Sequence, residues 1–170
     1  MERCVNNNER IKVYLESTIS SYCVAQPSSN PINAERQAYT LKWTEVWSGR
    51  CDLYVSKYVV DENAKGDPER ARERLEYDRR AMMIEVDEIV VKPLADRLIR
   101  PDAIPETERI DAYHVATAAV YGMDVLLTWN CAHINNPATL PAIITQIALA
   151  GYRCPKIMTP KEFMEVYDAV

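Results

Sequence analysis

Only four of the 170 residues are glycine, at positions 49, 66, 122 and 151. So few and so scattered, they cannot form the glycine-rich phosphate loops G-x-G-x-x-G or Walker A, which sets aside the common nucleotide-binding enzymes. No apolar run approaches the roughly 18 residues that cross a bilayer. The opening Met1-Glu2-Arg3-Cys4-Val5, followed by three asparagines, lacks the apolar core of a signal peptide. The expected location is therefore the cytoplasm, with no membrane partner. Cysteine is sparse and odd in number: Cys4, Cys23, Cys51, Cys131 and Cys154 never form a Cys-x-x-Cys pair. Neither a disulfide framework nor a zinc site follows from that spacing. Excess positive charge is also missing, since the formal net charge is −5. This argues against non-specific coating of nucleic acid, which runs on phosphate neutralisation by Lys and Arg. It leaves open an enzyme that touches nucleic acid at one patch.

What the chain does have is alternation. Short apolar runs at residues 11–15, 52–56, 82–86, 124–129 and 156–158 are strand length and too short for stable helices. Between them lie helical patterns at residues 33–48, 68–80, 93–99, 106–121, 140–150 and 161–167. Each glycine follows a helical stretch, where a left-handed residue can end it. Parallel strands need crossovers of this length, so the expected fold is a three-layer α/β/α domain around a parallel sheet of four to five strands. One domain over residues 1–170 fits this length, with about the first ten residues flexible.

In such sheets, ligands bind beyond the carboxyl ends of the strands. Glu16 stands there after the first strand, Glu62 one to two turns after the second, and Asn130 after the run 124–129. Asp111 opens a helix whose later residues are nearly all small or apolar. Each acid has a plain reading as well. The helix dipole favours a first-turn carboxylate at Asp111 by up to about 1 kcal/mol, and Glu62 lies among other charges. Glu16 is harder to set aside, because a carboxylate ending a buried strand needs a partner or a cation.

At these residues the sequence resembles a branch of the PIN-domain family. Val13-Tyr14-Leu15-Glu16-Ser17-Thr18, with Ser21-Tyr22 a little later, is similar to the branch's opening block. Val55 to Glu62, then Gly66-Asp67-Pro68-Glu69-Arg70-Ala71, resembles its second. Asp111-Ala112-Tyr113-His114-Val115-Ala116 and Leu126-Leu127-Thr128-Trp129-Asn130-Cys131 resemble the third and fourth, in the same order. The resemblance implies one pocket containing Glu16, Glu62, Asp111 and Asn130. It also implies a Mg²⁺- or Mn²⁺-dependent ribonuclease, as in the toxins of VapBC-type toxin–antitoxin pairs, with RNA as substrate, an antitoxin protein as partner and a homodimer as assembly. Glu16 and Asp111 would bind metal directly, Glu62 directly or through water, and Asn130 beside Thr128 would position water or the phosphate. Thr18 and His114 would support them. The family more commonly has aspartate where this chain has Glu16 and often where it has Asn130, which shifts one carboxylate outward and removes another.

Further residues carry two readings. His114 lies one turn after Asp111, where it could bind phosphate, orient a carboxylate or merely satisfy its own polar atoms. His133 could meet an RNA backbone or simply cap a loop. The helical face Tyr39, Trp43, Val46 and Trp47 suits a core or a dimer surface better than base stacking. Arg70, Arg72, Arg74, Arg79 and Arg80 alternate with Glu69, Glu73, Glu76 and Asp78, as on a solvated, salt-bridged helix. The alternatives to a nuclease are a catalytically weak PIN-like domain that binds RNA or protein, and some other phosphate-handling α/β enzyme.

Overall fold

The computed structural model describes residues 10–169. Cys4 and the asparagines at 6–8 lie outside them. Among the described residues thirteen principal elements follow one another along the chain: β1 (Lys12–Leu15), α1 (Ser17–Val24), α2 (Pro31–Trp47), β2 (Asp52–Ser56), α3 (Lys57–Asn63), α4 (Pro68–Asp78), β3 (Met82–Ile84), α5 (Glu88–Leu98), α6 (Arg109–Val120), β4 (Val125–Leu127), α7 (Leu140–Leu149), β5 (Lys156–Met158) and α8 (Pro160–Tyr167), with short 3₁₀ turns at Ser48–Arg50 and Glu106–Glu108. The five strands form one all-parallel sheet in the order β3-β2-β1-β4-β5. This is the expected α/β architecture. The chain winds outward from β1 through β2 to β3, then returns to the other side of β1 with β4. The sheet therefore has its topological switch point between β1 and β4, where a crevice opens beyond the strand ends.

The central strands β1 and β4 are buried on both faces, as helix-covered parallel strands are, while Met82 and Met83 of the edge strand β3 are exposed. Val13, Tyr14, Val125, Leu126 and Leu127 have no exposure at all. Helices α1 and α2 pack with each other and with α4 and α8 respectively, while α5 packs against α6 and α7. Side-chain caps start most helices: Asn30, Asp67, Asp87 and Thr159 each accept a backbone N–H of the turn they open. Gly66, Gly122 and Gly151 have positive φ after their helices, where a side chain would be strained.

Several expectations need correction. Gly49 lies inside the 3₁₀ turn rather than at a left-handed helix end. Helix α5 begins at Glu88, not 93, and carries Pro93 in its interior. The proline removes one ladder donor, whose acceptor would be the carbonyl of Ile89, a residue 86 % exposed. Helices α1 and α3 were not anticipated, and the helix expected from residue 106 starts with a 3₁₀ turn. The aromatic face of α2, expected as core or a dimer surface, packs against α8. Trp43 is fully buried, with its ring edge-on to Phe163 at 5.7 Å, and Trp47 meets the same ring at 5.3 Å. On α4, Arg70–Glu73 and Arg79–Glu76 pair one turn apart as expected. Arg74 instead ties down the backbone carbonyls of Asn63 and Lys65, and Asp78 is buried rather than solvated. A cleft of about 770 Å³ lies beside this helix, lined by Cys23, Leu41, Thr44 and Tyr77 under a rim of arginines. It shares no residue with the acids at the strand ends.

Candidate active site

Glu16 is the residue on which β1 ends and α1 begins. Its backbone N–H continues the sheet to the carbonyl of Leu127, and its side chain caps α1 by accepting the N–H of Thr18. The carboxylate is 3 % exposed, and its Oε2 also accepts the hydroxyls of Thr18 (2.5 Å) and Thr128 (2.7 Å). Those hydroxyls in turn accept N–H groups of the chain leaving β4: Trp129 N–H reaches Thr18 Oγ1, and Asn130 N–H reaches Thr128 Oγ1, both at 2.9 Å. The two strand exits are thereby stitched together around one buried carboxylate. Oε1 has a single donor, the Ser17 hydroxyl at 2.6 Å, so a lone pair remains for a cation.

Glu62 approaches from α3, half-buried, and its Oε2 lies 2.7 Å from His114 Nε2. His114 is wholly buried on α6, and its other nitrogen, Nδ1, lies 2.8 Å from the Tyr14 hydroxyl, which bonds Ser56 Oγ at 2.7 Å. Burial works against charge on both partners, yet their mutual bond wins. It holds the Glu62 carboxyl below its usual value and, with the charges of Glu16, Glu62 and Asp111, lifts the His114 imidazole above its own. Ligand-capable atoms of Glu16, Glu62 and His114 all lie within 4.8 Å of one another.

Asp111 stands in the first turn of α6, 7 % exposed. Its Oδ2 accepts from Asn130 Nδ2 at 2.9 Å and lies 3.3 Å from His133 Nδ1. Burial pushes this carboxyl above the ordinary aspartate range, and the charge of Glu16 adds to the push. The Asn130 bond and the two histidines oppose it without cancelling it. Asp111 is thus electrostatically joined to Glu16 and His114. A second group, Glu108, Asp111 and His133, also brings ligand-capable atoms within 4.8 Å of one another.

Of the four residues expected in one pocket, Glu16 and Asn130 follow β1 and β4, Glu62 groups with Glu16 and His114, and Asp111 bonds Asn130 and groups with Glu108 and His133; Asn130 is turned in an unexpected sense. Its oxygen is committed to the His133 N–H at 3.0 Å and its nitrogen to the Asp111 carboxylate. Reversing the amide would set oxygen against carboxylate and NH₂ against N–H, so the hydrogen bonds fix the orientation. Asn130 presents a donor to the acids rather than an oxygen. His133 is not merely a loop cap, since its ring reaches Asp111. His114 hydrogen-bonds Glu62 rather than Asp111. Sequence reading missed Tyr14, Ser17 and Ser56. A tyrosine in the middle of a buried strand was the available signal for the first, because its hydroxyl must find a partner.

With this geometry in place, the class of protein can be stated: a helix-covered, all-parallel α/β domain whose acids gather at the switch point of the sheet. Neither the protein-family models nor the curated proteins contain a match. Among solved structures, the crystal structure of VapBC2 from Rickettsia felis bound to a DNA fragment from their promoter shares the fold. Its TM-score is 0.54 at 12 % identity, over 88 % of this chain and 98 % of that one. The tyrosyl-tRNA synthetase of Archaeoglobus fulgidus complexed with L-tyrosine also aligns, at 12 % identity, over 90 % of this chain and 55 % of that one, with a TM-score of 0.42. No helix of the described residues is long and apolar enough to cross a membrane.

Proposed function

We propose that this chain is a metal-dependent endoribonuclease that hydrolyses RNA phosphodiester bonds, and that it acts as the toxin of a type II toxin–antitoxin pair. The observation that carries the reading is a pair of neighbouring acid groups, Glu16 with Glu62 and His114, and Asp111 with Glu108 and His133, whose buried negative charge the histidines balance only on the Glu62 side. Mg²⁺ and Mn²⁺ suit such a set, since hard oxygen donors in small number leave coordination positions for water and phosphate. Glu16 through its less encumbered Oε1, Asp111 and Glu62 would hold the ion. When bound, it supplies an electrophile for the phosphodiester and a means of activating water at neutral pH. The protein's own part is positioning: the hydroxyls of Thr18, Thr128 and Ser17 fix Glu16, His114 fixes Glu62, and Asn130 with His133 fixes Asp111. A VapBC pair is the toxin–antitoxin class that the resemblance implies, and the Rickettsia felis neighbour supports a small antitoxin as partner. A homodimer in the cytoplasm completes the reading.

The test is cleavage of a mixed single-stranded RNA by wild type and Asp111→Asn, with Mn²⁺ and with EDTA. Cutting that needs metal and vanishes in the variant supports the nuclease. Equal activity or equal inertness of the two proteins overturns it. The orientation of Asn130 favours a second reading, a PIN-like domain of weak or no activity that binds RNA or protein, because a donor stands where the family often has a fourth carboxylate. The two readings separate on metal affinity: the second expects no Mn²⁺ binding at millimolar concentration.

A further inference from the structure

We propose that His114 is the positioning residue for Glu62, held in register by a buried hydrogen-bonded chain that runs Ser56–Tyr14–His114–Glu62; the role rests on the nuclease reading above. An ionised carboxylate can only accept, so the proton of the 2.7 Å contact lies on His114 Nε2 whatever the charge of the ring. The far side of the ring meets a hydroxyl, which can donate or accept. If the imidazole is neutral, Tyr14 donates to Nδ1 and accepts from Ser56. If it is protonated, Nδ1–H donates to Tyr14, which then donates to Ser56 Oγ. Both ring nitrogens and the Tyr14 hydroxyl are satisfied in both states without moving a heavy atom.

The chain also closes on itself through the fold. Ser56 is the last residue of β2 and the residue on which α3 starts, and α3 carries Glu62. Tyr14 lies on the central strand and His114 on α6. Four elements are thereby referred to one another around a ring that cannot tilt. Tyr14 meets its edge at 5.9 Å between centroids, and Tyr58 meets it at 6.3 Å from another side. With both nitrogens engaged, His114 has none left for a metal. Glu62 is carried on a helix of only seven residues. Its long side chain would otherwise sample several rotamers.

Mn²⁺ alone is the probe, with its free concentration read by electron paramagnetic resonance. Folding is checked by circular dichroism and melting. Glutamine places an amide N–H near the position of Nε2, whereas asparagine places one near Nδ1, and both remove the ring's charge. His114→Gln therefore keeps a donor for Glu62 and His114→Asn keeps only the link to Tyr14. The expected result is Mn²⁺ affinity within about threefold of wild type for His114→Gln and about tenfold weaker for His114→Asn, the range seen when a ligand loses its supporting partner. Folded Gln and Asn variants that bind equally well overturn the positioning role and leave the nuclease reading standing. Wild type that binds no Mn²⁺ overturns both. If His114→Asn does not fold, Tyr14→Phe decides: a loss of about threefold supports the chain, and unchanged affinity overturns it.

Discussion

The two flanks of the acid cluster solve the same electrostatic problem in opposite ways. On one flank Glu62, though half-exposed to water, is held ionised by a buried histidine that gives it a full hydrogen bond. On the other, Asp111 is more deeply buried and receives only an amide N–H and the edge of His133 at 3.3 Å, so its carboxyl titrates high. Burial pushes both carboxyls up, and only the bond to His114 outweighs it. The difference is that Glu62 has a 2.7 Å hydrogen bond to His114 on α6, whereas Asp111 has the Asn130 amide and a longer contact to His133. One carboxylate has a full partner and the other does not, so on the proposed nuclease reading Asp111 is where a divalent cation gains most.

The largest expected effect follows from this. Asp111→Asn should lower metal-dependent RNA cleavage by about 100-fold or more, since ion-mediated stabilisation of the reacting phosphate is worth several kcal/mol. Single-turnover cleavage in Mn²⁺ checks it, and a loss under about threefold would remove Asp111 from the centre of the site. The next effects concern stability without metal, and their signs should differ between the flanks. Glu62→Gln should destabilise the protein by about 1–2 kcal/mol, because it exchanges a charge-assisted bond to His114 for a neutral one. Asp111→Asn should stabilise it by about 1 kcal/mol, because it relieves a carboxylate that burial and Glu16 disfavour. Urea unfolding in EDTA measures both. Shifts of the same sign would dissolve the distinction between the flanks.

How much of this was legible beforehand depends on the range of the interactions. The five strands and the α/β class were readable because buried parallel strands are apolar throughout and the helices between them repeat at their own period. Helices α1 and α3 were not, because each is short, polar and joined to its strand with no loop. Glu16 hides α1 by being at once the last strand position and the helix cap. That Glu16, Glu62, Asp111 and Asn130 share one place came from the resemblance; the fold sets Glu62 beside Glu16 and Asp111 beside Asn130. Their roles toward a metal stay with the proposal. The partners were out of reach, since Tyr14 finds Ser56 across 42 residues and His114 across 100. No local pattern encodes which way the Asn130 amide turns.

A third buried carboxyl sharpens the comparison, because it lies away from the cluster. Asp78, at the end of α4, is 5 % exposed and bonded to Asn63 Nδ2, which also reaches Ser20. Burial raises its pKa to about 6, against the pull of the Asn63 and Ser20 bonds and of Arg74. A folded pKa above the unfolded value of 3.8 means that the native state binds this proton more tightly than the unfolded chain does. The contribution to stability is therefore fully present below the unfolded value, falls as pH climbs through the folded one, and stays lost above it. Asp78→Asn should flatten that slope between about pH 4 and 6. At pH 7.5 its net gain should stay under about 1 kcal/mol, because the amide still accepts from Asn63 but less strongly. Adding Mn²⁺ separates the two kinds of buried acid. It should erase the advantage of Asp111→Asn, since only wild type can gain from the ion, and leave that of Asp78→Asn untouched. If Mn²⁺ changes both variants alike, the strain on Asp111 comes from burial alone, and the cluster has no special demand for a cation.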